Sequence, residues 1–335
     1  MTRNHAVRVW ILAALLAAMV GAACTQQEEA REAPKIPEIT YRLKWLFNTS
    51  VAGELYAMDH GLFEAAGLSV AVKPGGPEKD AIKELELGHA QFGVASADMV
   101  IRALAKGSPV VVAAQLFQVN PLQWIYRPAR TTIETPADLK GKVLGVTFGG
   151  NDEAIMRALL AKYGIAERDV ELYSVRYDYT PFYQGKVDLW PVYRNAQGVI
   201  LQEKLREEGE TAAFFDPDAA GIQFVANSVV TTREMMETRP EVVDRFVAAL
   251  LKAWEAAMDP ANSEETVRII HEYDPDTPLS QIRKQLALTR DFVKPGFDFT
   301  IGTIDVPAWS GTERIMVNQG LAPGPVDVRA ALTTP

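Results

Sequence analysis

Within residues 41–72 the spacing of apolar side chains changes twice, and this limits the fold more than any other feature of the chain. Tyr41, Leu43 and Trp45 alternate with polar neighbours, which predicts a short strand with one buried face. Asn48, Thr49 and Ser50 follow, and their side chains can accept hydrogen bonds from the free N–H groups that open a helix. Over 51–64, Leu55, Met58, Leu62 and Phe63 recur at roughly helical spacing. Gly67 is a stop, after which Leu68, Val70 and Val72 resume the alternation of a strand. The unit reads as strand, helix, strand, with a polar, aromatic-flanked loop at the carboxyl end of its first strand. Open α/β sheets bind ligands at such loops.

Ahead of this unit, Arg3 and Arg8 precede the apolar run 9–20, which is short for a membrane span and is followed by small residues and Cys24. A basic start, a brief apolar segment and a small-residue cleavage region predict a signal peptide over 1–23. Cys24 is the sole cysteine, so no internal disulfide is available. The GAAC of 21–24 resembles a bacterial lipobox, with Gly21 where an aliphatic residue is more usual, and implies a lipid on Cys24. The tether over 24–38 is polar, charged and proline-containing. The formal charge of −9 argues against a nucleic-acid partner, which calls for clustered Lys and Arg. His60, His89 and His271 show no metal-ligand spacing, and neither a GxSxG elbow nor a phosphate loop is present.

The stretches KWLFN (44–48), AGELYA (52–57) and HGLFEAAGL (60–68) resemble the opening of the NMT1/THI5-like solute-binding proteins, and the resemblance runs from about 39 to about 321. It implies an α/β, two-lobed periplasmic binding protein fold of type II, with a hinge and an inter-lobe cleft. Lobe 1 would comprise 39–128 and 229–330, lobe 2 would comprise 129–228, and the hinge segments would lie near 127–132 and 224–230. The implied protein is the extracytoplasmic binding component of an ABC importer, a lipid-anchored monomer. Its partners would be a small-molecule ligand, the permease and ATPase subunits, and a bacterial membrane through Cys24.

Candidate ligand contacts follow along the chain. Trp45, Asn48 and Tyr56 flank the first loop. GVASAD (93–98) resembles a family segment whose small residues and helix start approach the ligand, so Ser96 and Asp98 either meet the ligand or cap the helix. Gln118 and Asn120 offer donor and acceptor together beside Trp124, which itself reads as core. The run FGGNDE (148–153) opens a second helix; its glycines permit close backbone approach, and Gly150, Asn151 and Glu153 are candidates, with Asn151 or Asp152 as the cap. Trp190, Tyr193 and Asn195 are the expected second-lobe contacts, the alternative being that Trp190 packs the interior and Pro191 ends its strand. Aromatic faces with amides at their edges suit a flat heteroaromatic ring better than a small oxyanion.

The family also contains pyrimidine synthases that use a Schiff-base lysine, a histidine and a cysteine-rich segment with pyridoxal phosphate. Here Ala95 stands where the lysine is expected, Asp98 and Met99 lie where the histidine belongs, and GIQFVANSVV (221–230) replaces the cysteine-rich run. A Schiff base needs an amine. The expectation is therefore binding without catalysis and without a cofactor, the ligand being a thiamine-precursor aminopyrimidine, with riboflavin, sulfonate and nitrate as alternatives.

Overall fold

The structure, a computed structural model, describes residues 38–333 apart from 77, 177, 297 and 298. The expected signal peptide, Cys24 and nearly all of the tether lie outside the described residues. Ten strands are found among those residues: β1 (Glu38–Arg42), β2 (Ser69–Lys73), β3 (Phe92–Ala95), β4 (Val110–Gln115), β5 (Leu122–Tyr126), β6 (Val143–Val146), β7 (Glu171–Ser174), β8 (Leu189–Tyr193), β9 (Ala213–Phe215) and β10 (Ser228–Thr232). They pair into two five-stranded sheets, ordered β2-β1-β3-β10-β4 and β7-β6-β8-β5-β9. In each sheet the strand that has just crossed from the other one runs antiparallel to its neighbours: β10 between β3 and β4, and β5 between β8 and β9.

The opening unit forms with two differences from its sequence pattern. β1 ends at Arg42, because the chain bends where the backbone of Gly75 sits against Leu43 and Lys44; a Cβ on Gly75 would lie 2.1 Å from the Leu43 carbonyl. The helix expected over 51–64 is divided into Ala52–Asp59 and Leu62–Ala65 at Gly61, whose φ of 59° a helix cannot contain.

The first crossing, 116–121, precedes the expected hinge at 127–132. β5 belongs to the second sheet, where Trp124 faces Pro191 of β8 and Phe215 of β9. The return crossing is 216–227, and β10 starts at Ser228. Asn120 Nδ2 donates to the Phe224 carbonyl (3.0 Å), joining the two crossings.

The first lobe has an aromatic core of its own, while one of the second lobe's two apolar clusters runs on into first-lobe residues such as Val112 and Trp309. In the first, the helix Pro240–Met258 turns Phe246, Leu250 and Trp254 inward, all fully buried. Phe246 stacks on Phe92 (3.8 Å between centroids) and on Phe63 (5.4 Å). Trp254 lies so close to Gly53 that a Cβ there would come within 2.2 Å of its ring. In the second lobe, Trp124 and Trp190 belong to different apolar clusters, one associated with each face of the sheet. Pro191 does not end its strand but sits inside it, opposite Gly145, where an added Cβ would meet Val175 at 2.9 Å and Pro191 at 3.0 Å. Trp124 donates its indole N–H to the Gly145 carbonyl (2.9 Å), which fixes it as core.

Candidate functional site

Between the sheets lies a cavity of about 600 Å³, walled by segments that leave the carboxyl ends of parallel strands. From β1 come Lys44, Trp45, Leu46 and Asn48; from β6, the loop 147–152; from β7, Ser174, Val175, Arg176 and Tyr179; from β8, Tyr193 and the following Ala196. Val94, Met99 and Leu122 give it an apolar floor.

Six of the thirteen expected contacts line this cavity: Trp45, Asn48, Gly150, Asn151, Trp190 and Tyr193. Trp45 is half-buried on the wall rather than in the core. Trp190 is only 2% exposed and packs against Tyr179 and Phe182, so it is chiefly a core residue with one edge on the cavity. The other seven are occupied elsewhere. Tyr56 lies inside its helix, stacked on His60 at 4.2 Å. Ser96 donates to Asp98 (2.6 Å), and Asp98 also pairs with Arg102, so the two satisfy each other where the helix begins. Gln118 donates to the carbonyls of Gln115 and Thr303, and Asn120 ties the crossings. Glu153 accepts from the Gly149 amide and from Arg157. Asn195 is fully buried, with Ser50 and Thr289 of the first lobe as partners. Strand-end position and residue type could not separate these cases, because an amide that joins two parts of the protein has the same sequence signature as one that meets a ligand.

Four further wall residues, Lys44, Phe148, Tyr179 and Asp152, were not among the expected ligand contacts. Lys44 spans the cleft, donating to the Tyr193 hydroxyl (2.8 Å), which itself donates to Asn227 (3.4 Å). Phe148 is 52% exposed, and Tyr179 presents a ring whose hydroxyl is pushed up to about 12 by burial. Asp152 accepts the Thr147 amide (2.7 Å); burial raises its carboxyl to about 6 against that hydrogen bond. The aromatic flanked by glycines at 148–150 was a readable signal for Phe148. Position 44, between two apolar residues, carried none.

The second helix, Asn151–Lys162, starts at Gly150 without any side-chain cap, contrary to the cap expected from Asn151 or Asp152. The Asn151 amide nitrogen is buried without a hydrogen-bond partner, and Arg176 makes no hydrogen bond or ion pair among the described residues. No group of three His, Cys, Asp or Glu among those residues could hold a metal ion. No helix there is long and apolar enough to cross a membrane.

Two α/β lobes joined by two crossings around a ligand-sized cavity form the fold of the periplasmic binding proteins. The alkanesulfonate-binding protein SsuA from Xanthomonas axonopodis pv. citri, solved bound to MOPS, matches with a TM-score of 0.69 at 18% identity, over 90% of this chain and 99% of that one. The family model described as NMT1/THI5 like matches residues 48–263, and the chain belongs to that family. Among its relatives, the riboflavin-binding protein RibY of Chloroflexus aurantiacus is 24% identical over 311 residues, 90% of this chain and 86% of RibY. The formylaminopyrimidine-binding protein of Halalkalibacterium halodurans is 26% identical over 275 residues, 81% of each chain.

Proposed function

We propose that this protein is the solute-binding component of an ABC importer that captures a small heteroaromatic nutrient between its lobes and presents it to the permease. The carrying observation is the cavity itself: about 600 Å³, with Trp45, Phe148, Tyr179 and Tyr193 as flat walls and amides and charged groups at their edges. The names of the relatives support a ring ligand, an aminopyrimidine first and riboflavin second. Binding without chemistry fits a wall whose one buried carboxylate, Asp152, is already held by a backbone amide. We place the mature protein outside a bacterial membrane, anchored through Cys24 as a monomer.

A second reading is favoured by Arg176 and the Asn151 amide nitrogen. Both are donors on the second lobe without an acceptor among the described residues, and they suit a ring that carries a sulfonate or phosphate. Thermal unfolding against hydroxymethylpyrimidine, formylaminopyrimidine, riboflavin, riboflavin phosphate, taurine and nitrate tests both readings. A true ligand at one hundred times its dissociation constant stabilises the fold by about 2.7 kcal/mol. A response to taurine or nitrate with none to any ring compound would overturn the heteroaromatic assignment.

A further inference from the structure

Beside the cavity, and sharing Ser50 and Ala196 with its wall, the lobes meet through a second set of polar groups centred on Asn195, which does not itself line the cavity. Asn195, fully buried at the start of the turn between β8 and the helix Gln197–Glu207, reaches out of the second lobe. Its Nδ2 donates to Ser50 Oγ (3.1 Å) and to Thr289 Oγ1 (2.9 Å), and its carbonyl accepts from Thr49 Oγ1 (2.9 Å). Gln285, on the same first-lobe helix as Thr289, donates to the Ala196 carbonyl (3.1 Å). Four hydrogen bonds thus make up this seam, beside the Lys44–Tyr193 bond across the cavity and the exposed Lys284–Glu203 pair (2.7 Å), and both partners of each belong to the protein.

The seam has an opposing component. The side-chain oxygens of Asn195 and Gln285 are buried with no hydrogen-bond partner. Each loses its hydration when the lobes meet and regains it when they part. Four bonds made against two oxygens stripped of water leave the joined arrangement favoured, by a margin small enough for the loss of the two Asn195 side-chain bonds to reverse.

We infer that this seam holds the lobes together without ligand, and that Asn195 is a positioning residue that sets ligand affinity from outside the cavity. Removing its amide shifts the population towards parted lobes, and apparent affinity falls with the fraction of molecules that remain competent. The affinity part of the inference rests on the cavity being the ligand site; the conformational part does not.

The test uses the full chain carrying Cys24→Ser, which leaves no native thiol. Spin labels are placed at Lys73→Cys and Glu171→Cys, on the exposed edge strands β2 and β7, the strands farthest in sheet order from the crossings. Without ligand, the parent gives one short inter-label distance, and in Asn195→Ala a longer population predominates. With riboflavin as the probe, the variant binds about tenfold more weakly and its long population is lost on saturation.

Identical ligand-free distance distributions in parent and variant would overturn the inference, as would a shift in distances with unchanged affinity. A purely structural role would lower the melting temperature and leave the distances alone. If riboflavin binds neither protein, that ligand is lost to the functional reading, while the ligand-free distances still decide the seam. Should Asn195→Ala not fold, Thr289→Val removes one partner from the first-lobe side and is held to the same distances.

Discussion

The two strand-to-helix turns that face each other across the cavity are built to different degrees of completion. In the first lobe, Asn48 accepts the Ser50 amide (2.7 Å) and donates to the Leu46 carbonyl (3.2 Å), so both ends of its amide are used. The helix that follows is fixed by Gly53 against Trp254. In the second lobe, the helix starts with no side-chain cap, the Asn151 amide nitrogen lacks an acceptor, and Phe148 stands half in solvent. One turn is finished by the protein. The other is left with groups that a ligand can complete, and specificity is expected to reside there.

The largest effect on this contrast is expected from Gly53→Ala. Alanine normally gains about 1 kcal/mol over glycine in a helix interior. Here its methyl group would overlap the buried Trp254 ring, and a net loss of roughly 3 kcal/mol is expected from overpacking. Denaturant unfolding measures it; an unchanged midpoint would show that the first turn is not rigidly seated.

Glu54, one residue further along, gives the next effect. It is fully buried, with Tyr41 donating to one oxygen (3.0 Å) and the other oxygen unpaired. Burial raises its carboxyl from the ordinary 4.5 to about 7, against the opposing pull of its own backbone amide, the Tyr41 hydrogen bond and the Trp254 indole. The folded protein therefore holds a proton that the unfolded chain has released, and stability falls as pH rises from about 4.5 to about 7. The difference amounts to roughly 3 kcal/mol. Glu54→Gln is expected to remove this fall and to exceed the parent most at pH 8, with Asp152 still contributing its own fall below about pH 6 in both proteins. Parallel stability–pH curves would refute it.

The smallest effects sharpen the comparison most. Phe148→Ala and Asn151→Ala are each expected to weaken ligand binding about tenfold, roughly 1.4 kcal/mol, while the ligand-free melting temperature changes little. Asn48→Ala is expected to do the reverse, costing about 1 kcal/mol of stability through its lost cap. Calorimetric titration alongside thermal unfolding separates the two patterns, and equal behaviour at 48 and 151 would erase the difference between the turns.

Much of the architecture could be read from local pattern, because the alternation of Leu68, Val70 and Val72 and the stop at Gly67 act through near neighbours. The first crossing could not. Leu122, Trp124 and Ile125 look the same whether they extend one sheet or begin the other, and only pairing with β8 decides. The site divided along the same line. Residues whose surroundings are local, such as Trp45 and Gly150, came to line the cavity. Asn195 and Gln118 did not, because their partners at 289 and 303 are distant in sequence. Trp190 sits on the boundary, its bulk in the second-lobe core and its edge on the cavity.

The Asn120 bridge has a kinetic consequence. Its amide nitrogen grips the Phe224 carbonyl while its oxygen accepts the Leu122 amide (3.0 Å), and at the other end of the crossings the Leu116 and Phe117 amides donate to the Asn227 carbonyl, so the two segments are riveted at two points. Motion about two rivets is rotation about the line between them, with one angular coordinate. Ligand escape is then expected to follow a single exponential, and cutting one rivet with Asn120→Ala to spread it over several rates.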